Sequence, residues 1–505
     1  MKNLSILMLI AVVTLTTIPA LANQQAPDQN SPFVLTAAPA TCHFGIAVVA
    51  PFASYDLSTL GVGNYLDWSR IRNASVPANI DYFRVLQVNN YSFPRFKTQL
   101  PGLLSNNPGA IWIIGNEPDS EVTYQDHISA ETYAQRYFEL ATIIRQNDPN
   151  AKIGFGPIIQ PTPIRIYYLT LAMNKLAELA GGATKAHALI DFYSIHAFIL
   201  NEARLYGPDG KSISWGAGVP VGYNPATWPA PELIHPESGE TYMTYDINIF
   251  KARLIAFRHW MKDQGEQDKP LWITEFGSLF PSEGNLYLLV SENDSANFMA
   301  QTYDFMLGTK DPQIGYAADD YRLVQKWTWV SLNDPPTLFG GSLYNPVTQS
   351  LTTVGERFIK YDPSLTAVPV TDPDVYVIPD SLELTPISAS AQAGRVNYNV
   401  TVKVSNNISS DRQTGGQVDL YEGTTLIGSI HVMIPRCGGA QQVSYSAENL
   451  VPFVMHNFKA NVSLLPGNGT DLDLSNNELT LNSFALPFPT SNSEKAYGIF
   501  RGSKR

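Results

Sequence analysis

The sequence predicts an α/β chain, a (β/α)8 TIM barrel followed by a smaller all-β immunoglobulin-like sandwich. Three observations carry this. Short, nearly continuous apolar runs alternate with longer amphipathic ones from about residue 43 to 361, as in βα units whose strands are covered on both faces. A Pro/Asp-rich stretch, YDPSLTAVPVTDPD (361–374), then breaks the pattern. Beyond it the periodicity switches to two: Val396, Tyr398, Val400, Val402 and Val404 point one way, and Phe458, Ala460, Val462 and Leu464 repeat the pattern.

The strand candidates in order are HFGIAVVA (43–50), NYLDWS (64–69), YFRVLQV (82–88), AIWIIGNE (110–117), KIGFGPII (152–159), DFYSIHAF (191–198), PLWITEFG (270–277) and VQKWTWVSL (324–332). Eight such runs fit a closed barrel better than the alternative, a doubly wound open sheet. Helices fit between them. Ser129 is placed to cap a helix whose buried stripe is Tyr133, Tyr137, Leu140, Ala141 and Ile144. Phe250, Leu254, Phe257 and Met261 mark a helix before the seventh strand, and Phe298, Thr302, Phe305 and Met306 one before the eighth. A long Gly/Pro/Trp/Tyr-rich insertion, Ile199 to about Tyr245, follows the sixth strand, where a barrel builds its active site.

The resulting division is a signal peptide at 1–22, a flexible leader at 23–41, the barrel at 42–364, a linker at 365–374, the sandwich at 375–484 and a tail at 485–505. The first segment has Lys2, an apolar stretch from Leu4 to Ile18 and the small-x-small sequence Ala20-Leu21-Ala22, which predicts cleavage before Asn23 and a secreted, extracellular chain. An uncleaved anchor is the weaker alternative, because Thr14, Thr16, Thr17 and Pro19 break the run.

Among 505 residues, 33 Lys+Arg face 45 Asp+Glu, and the net charge of -12 without a basic run argues against nucleic acid as partner. A neutral or cationic substrate fits better. Charged residues make up only 15%, while aromatics reach 11%, so some rings are expected on a binding surface. Two cysteines, Cys42 and Cys437, exclude a disulfide scaffold and a cysteine-ligated zinc site. They read as two unpaired buried thiols or, in an exported chain, as a bridge tying the two ends together.

Two carboxylates stand out. Glu117 ends the fourth expected strand in IWIIGNEPD and Glu275 ends the seventh in LWITEFG, so each is expected at the catalytic rim of a barrel, with a dry wall beneath and an open mouth above. That setting can keep one carboxyl protonated beside an ionised neighbour. Paired carboxylates on facing strand ends are what glycosidic bond cleavage requires. The eight histidines include no His-x-His pair, so neither a metal nor another cofactor is expected.

Asn116-Glu117-Pro118 at the end of the fourth strand, with Glu275 at the end of the seventh, resembles the retaining (β/α)8 glycoside hydrolases of clan A, over about residues 43 to 360. The resemblance implies Glu117 as general acid/base, Glu275 as nucleophile and Asn116 as a contact to the substrate 2-hydroxyl. It implies His196, ending the sixth strand, close to nucleophile and sugar. It implies Trp329 as the aromatic under the sugar at the cleavage point, with its neighbour Trp327 more readily a core residue. The clan's second-strand Arg has no clear counterpart, since that strand ends Asp67-Trp68-Ser69-Arg70 and Arg84 lies within the third.

Trp68 and the insertion residues Trp215, Tyr223 and Trp228 are further candidate sugar platforms. The expected partner is an oligo- or polysaccharide, and the chain is expected to act as a monomer. Glucan, xylan, mannan and galactan are not distinguished. A noncatalytic carbohydrate-binding or cell-surface protein is the alternative from another class. The C-terminal domain, through VTVKVSNN, VDLYEGTTLIG and DLSNNELTL, resembles adhesion-type immunoglobulin-like modules and could contact a cell wall or surface. Asp471, Asp473, Asn476 and Glu478 carry calcium-type oxygens but read better as a solvated turn.

Overall fold

The computed structural model describes residues 42–48, 55, 57, 59–122, 124–202, 216–232, 242–283, 289–337, 339–363, 372–389 and 394–486. The expected signal peptide, leader, most of the linker, nearly all of the tail and Trp215 lie outside the described residues.

Eight parallel strands close into a barrel in sequence order: β1 (Phe44–Ala47), β2 (Asn64–Leu66), β3 (Asp81–Leu86), β4 (Ile111–Ile114), β5 (Lys152–Phe155), β6 (Phe192–His196), β7 (Leu271–Phe276) and β8 (Lys326–Trp329). All eight fall on the expected runs, and closure excludes the open sheet. The helices are α1 (Ser92–Ser105) after β3, α2 (Ala130–Asn147) after β4, and α3 (Pro163–Ala180) with the short α4 (Ala183–His187) after β5. Then α5 (Ile247–Asp263), α6 (Glu292–Gly308) and α7 (Thr353–Lys360) follow β6, β7 and β8. Among the described residues no helix follows β1 or β2, so the strict alternation expected from the sequence begins at β3.

Alternation along the strands makes two apolar layers. Phe44, Ile46, Tyr65, Trp112, Ile114, Tyr193, Ile273, Trp327 and Trp329 pack against the helices. Leu66, Phe83, Val85, Ile113, Phe192 and Trp272 fill the barrel, where Trp272 stacks on Phe192 at 3.8 Å and on Phe83 at 5.1 Å. The helices follow local rules: the Ser129 hydroxyl accepts from Thr132 N, and Pro163 takes the first position of α3, where its missing N–H costs nothing.

The C-terminal domain is a two-sheet antiparallel sandwich. One sheet runs β10 (Glu383–Ala389), β11 (Val396–Ser405), β14 (Ala440–Leu450), with β9 (Tyr376–Val377) also on β11. The other runs β13 (Thr425–Ile434), β12 (Thr414–Glu422), β15 (Met455–Leu464), β16 (Glu478–Phe484). Val396, Tyr398, Val400, Val402 and Val404 are buried, as their period predicts. In the turn before β16, Asp473 caps Ser475, Glu478 pairs with Lys459 at 2.9 Å, and Asp471 and Asn476 bond Asn477 and Asp374.

This domain meets the barrel at the start of β1, the end away from the C-terminal rim of the strands. Cys42 and Cys437 form a disulfide with Cα atoms 5.2 Å apart, which corrects the reading of two unpaired thiols. Beside it His43 Nδ1 lies 2.7 Å from Asp411 Oδ2, and the buried Arg436 guanidinium sits 4.2 Å over the Phe44 ring while donating to Phe358 O at 2.8 Å. No described helix is long and apolar enough to cross a membrane.

Candidate active site

Strand β4 stops at Ile114, three residues before Glu117, so Glu117 stands on a turn and not on the strand itself. Gly115 takes φ +103°, where a side chain would be strained, and Glu117 takes φ +46°. A left-handed non-glycine residue costs on the order of 1–2 kcal/mol and must be held by its surroundings. The hold is visible: Glu117 N donates to Pro157 O at 2.9 Å, Asp126 N to Asn116 O at 3.0 Å, and Ile128 N to Pro118 O at 2.9 Å. The Asp126 carboxylate accepts from Val88 N, Asn89 N and Asn116 N at 2.6 to 2.8 Å. Burial pushes Asp126 up to about 7 against those three donors.

Glu275 reaches the mouth by a different device. It shares parity with Ile273, which packs toward the helices, so regular pleating would send it there too. The pairing register shifts between Ile273 and Phe276 against β8, and between Ile195 and His196 against β7, which sets Glu275 opposite His196. A bulge of this kind re-aims a side chain at the rim of a barrel. Ser194 and Thr274, bonded at 2.8 Å, lie one step below.

The result is a buried trio. His196 Nδ1 lies 2.8 Å from Glu117 Oε1, and Nε2 lies 3.4 Å from Glu275 Oε1. One ligand-type atom from each of the three residues falls within 4.8 Å of the others. Burial pushes Glu275 up to about 7, with charge on Glu117 adding to it and His196 and the Trp68 indole opposing. Burial would lower His196, but Glu275 first and then Glu117 outweigh it and raise the imidazole above its ordinary value. The carboxyl pushed toward neutrality is therefore Glu275, the residue the resemblance makes the nucleophile.

Three ligand atoms are the number in catalytic zinc sites. Here His196 Nδ1 is bonded to Glu117 Oε1, while Glu117 Oε2 and Glu275 Oε1 have no hydrogen-bond partner among the described residues, so the trio has atoms for a shared proton or for a cation.

Trp68 roofs the pair from the β2 side, half-buried, with its Nε1 3.3 Å from Asn116 Oδ1. Asn116 is held from the other end by Gln125 Oε1, which accepts from its Nδ2. Trp68, two residues past the end of β2, is thus a donor to the trio's surroundings. Arg84 points elsewhere, to Asn107 Oδ1 at 2.8 Å, and Arg70 lies 4.6 Å over the Phe96 ring.

The aromatic expectations are corrected in part. Trp329 is fully buried in the helix-side layer with Phe276 at 5.2 Å, and its Nε1 donates to Gly341 O at 2.6 Å, so it offers no open face to a sugar. Parity is the reason: it pairs with Ile46 and Phe276, both of that layer. Trp327 is likewise core, as expected. Trp228 is half-buried between Tyr167 at 5.1 Å and Tyr223 at 5.9 Å, a packed aromatic cluster beside α3.

Neither a protein-family model nor a curated protein matches the chain. Solved structures similar in fold include Bacteroides uniformis beta-glucuronidase 2, at 9% identity and TM-score 0.36, covering 88% of this chain and 46% of that one. The chain thus spans about half the length of that enzyme. A GH128 (subgroup VII) oligosaccharide-binding protein from Trichoderma gamsii matches at 17% identity and TM-score 0.39, over 64% of this chain and 96% of that one. A glucosidase from Croceicoccus marinus matches at 10% identity and TM-score 0.38, over 82% and 94%. Likeness at this level carries no argument about chemistry.

Sequence reasoning missed the support behind the trio. Arg165 on α3, fully buried, bonds Asp119 Oδ2 and O, Glu202 Oε2 through Nε and NH2, and Gly218 O. It thereby ties the loop after β4 to two described stretches of the insertion after β6, at Glu202 and at Gly218. Gln160 and Thr162 also donate to Glu202. Burial raises Asp119 to about 6 although Arg165 opposes it. The only hint was Asp119 in Asn-Glu-Pro-Asp; the partners lie 37 and 46 residues from Arg165 along the chain.

Proposed function

We propose that the protein is a retaining O-glycoside hydrolase acting outside the cell on an oligo- or polysaccharide. The observation that carries this is the pair of carboxyl groups on the β4 and β7 rim, one oxygen of each lying within 4.8 Å of the other and of a His196 ring nitrogen. Retaining glycosidases hold their carboxyl groups about 5–5.5 Å apart, inverting ones about 6.5–9.5 Å. The Cys42 to Cys437 bridge supports an oxidising compartment.

In the first step Glu275 attacks the anomeric carbon, the bond to the leaving oxygen breaks, and Glu117 donates its proton to that oxygen. Glu117 then takes a proton from water as that water displaces Glu275, releasing the sugar with retained configuration. Glu275 must be ionised at the outset, whereas burial favours its protonated form. His196 supplies the route: Glu275 passes a proton to Nε2 while Nδ1–H passes one to Glu117. The charge of the trio is unchanged: Glu275 becomes ionised, Glu117 becomes protonated, and the imidazole changes tautomer.

The test is Glu275→Gly with added azide on an activated β-glycoside. The expected result is loss of hydrolysis and recovery of turnover as a β-glycosyl azide; absence of that product refutes the nucleophile assignment. A binding-only barrel is the second reading, favoured by burial, since the Glu117 and Glu275 side chains are only 4% and 10% exposed. Oligosaccharide binding without cleavage across glucan, xylan, mannan and galactan panels, with and without chelator, would establish it. The sandwich, at the far end of the barrel from the trio, is assigned the role of spacer or wall contact.

A further inference from the structure

A second group of oxygens lies behind the rim, on the segments that follow β7 and β8. Asp334 is 3% exposed, and its Oδ2 has no hydrogen-bond partner among the described residues. It lines a cavity of about 20 Å3 together with Ser282, Glu292, Gly340 and Ser342. No Lys, Arg or His is among the described lining residues. Glu292 accepts from Thr353 N through Oε2 at 3.0 Å, which leaves its second oxygen for a ligand. The Ser342 hydroxyl has only a 3.3 Å contact, to Ser331 Oγ.

A buried carboxylate without a partner must be neutralised by a proton or by a cation. Burial pushes the Asp334 carboxyl up, with a Ser331 hydrogen bond opposing, so the isolated group leans toward the proton. The surroundings offer more than that. The donors are carboxylate, hydroxyl and carbonyl oxygens, the set that hard cations prefer. The space admits about one water-sized body. Magnesium keeps several of its waters and needs near-ideal octahedral geometry, which a cavity of this size in irregular loops does not provide.

We propose that this cavity is a calcium site, with Asp334 and Glu292 as its charged ligands and the Ser282 and Ser342 hydroxyls and loop carbonyls completing the shell. The ion would join three segments already stitched by Ser282 N to Pro336 O at 3.0 Å and Gly340 N to Phe280 O at 2.8 Å. The ion would also steady the segment of Gly341, between Gly340 and Ser342, which accepts the Trp329 indole N–H in the core.

The experiment is calorimetric titration of the chelator-treated full chain with calcium chloride, then with magnesium chloride, alongside thermal unfolding. One calcium per chain is expected. Tm should rise by about 3 °C at a hundredfold excess over Kd, with magnesium at least tenfold weaker. Asp334→Asn and Glu292→Gln should each weaken calcium at least tenfold. Absence of calcium binding to the unaltered chain, or equal binding of magnesium, overturns the proposal. So does unchanged affinity in Asp334→Asn, which would move the ion elsewhere, for instance to the turn at 471–478. Glu292→Gln, at a half-exposed helix start, decides the matter if Asp334→Asn does not fold.

Discussion

Replacing Glu275 by Gln should make the protein more stable, and by an amount that grows with pH. The substitution keeps the shape and removes the charge that burial opposes. Glu275 is raised from 4.5 to about 7 in the folded chain. A raised carboxyl contributes stability that is fully present below its unfolded value and lost as pH rises through its folded one. At about 1.4 kcal/mol per unit, the unaltered protein loses roughly 3 kcal/mol from this group between pH 4.5 and 8.

Glu275→Gln does not titrate and escapes that loss. His196 takes part of the gain back, because Glu275 is the first of the groups that raise it. Without that charge the imidazolium form is less favoured, a loss felt at acidic pH, so the gain is smallest at the acid end of the range and grows from there. The expected outcome is a difference near zero at pH 5 and about 1–3 kcal/mol in favour of Glu275→Gln at pH 8. Urea denaturation followed by tryptophan fluorescence at pH 5, 6, 7 and 8 measures it. A difference that is flat across this range, or a less stable variant at pH 8, would refute the account of the trio. Hydrolysis by the same variant should fall by about 10³-fold or more.

Trp68→Phe keeps a ring over the trio and removes the N–H, which holds Glu275 down. Its pH–rate profile should therefore show the acidic limb moved to higher pH, and an unmoved limb contradicts that role. Arg165→Met leaves Asp119 and Glu202 buried without their cation, which should lower unfolding free energy by about 3–5 kcal/mol, read from urea midpoints. A loss under about 1 kcal/mol would show that other groups hold the two loops. Cys42→Ser with Cys437→Ser opens a link spanning 395 residues and should cost about 2–5 kcal/mol, with added reductant bringing the unaltered chain to the same midpoint. Reductant that leaves the unaltered midpoint in place argues against the bridge.

The eight strands were legible because each is covered on both faces and so appears as an unbroken apolar run, a signal that tolerates errors of up to four residues at an end. The same continuity hid orientation. In ITEFG no residue marks a bulge, and parity counted from Ile273 sends Glu275 to the helices. In KWTW the matching parity sends Trp329 to the helix side, where no bulge intervenes to turn it back. Glu117 and Glu275 were found by their position at the ends of apolar runs, whereas the devices that aim them, a left-handed turn and a register shift, are backbone events with no side-chain signature. Arg165 was invisible for a further reason: a charged residue on an amphipathic helix is ordinarily solvated, and only the long insertion after β6, folded back over α3, makes it a buried one.

The carboxyls raised furthest by burial gather at the rim of the barrel. At the end that meets the sandwich the pattern is mixed: His43 is raised to about 9, with Asp411 outweighing the cost of its burial, and Asp319 is held below its usual range by His43 and Arg322, whereas burial lowers Arg436 to about 10 and raises Glu266. At the rim the carboxyls are pushed up, Glu275 and Asp126 to about 7 and Asp119 to about 6, even where a cation is in contact. A chain selected only for stability would not collect raised carboxyls at one end, since each weakens the fold as pH rises through its folded value. The half of the barrel that holds the disulfide and the paired charges can carry that cost, and the rim is where perturbed carboxyls have a chemical use.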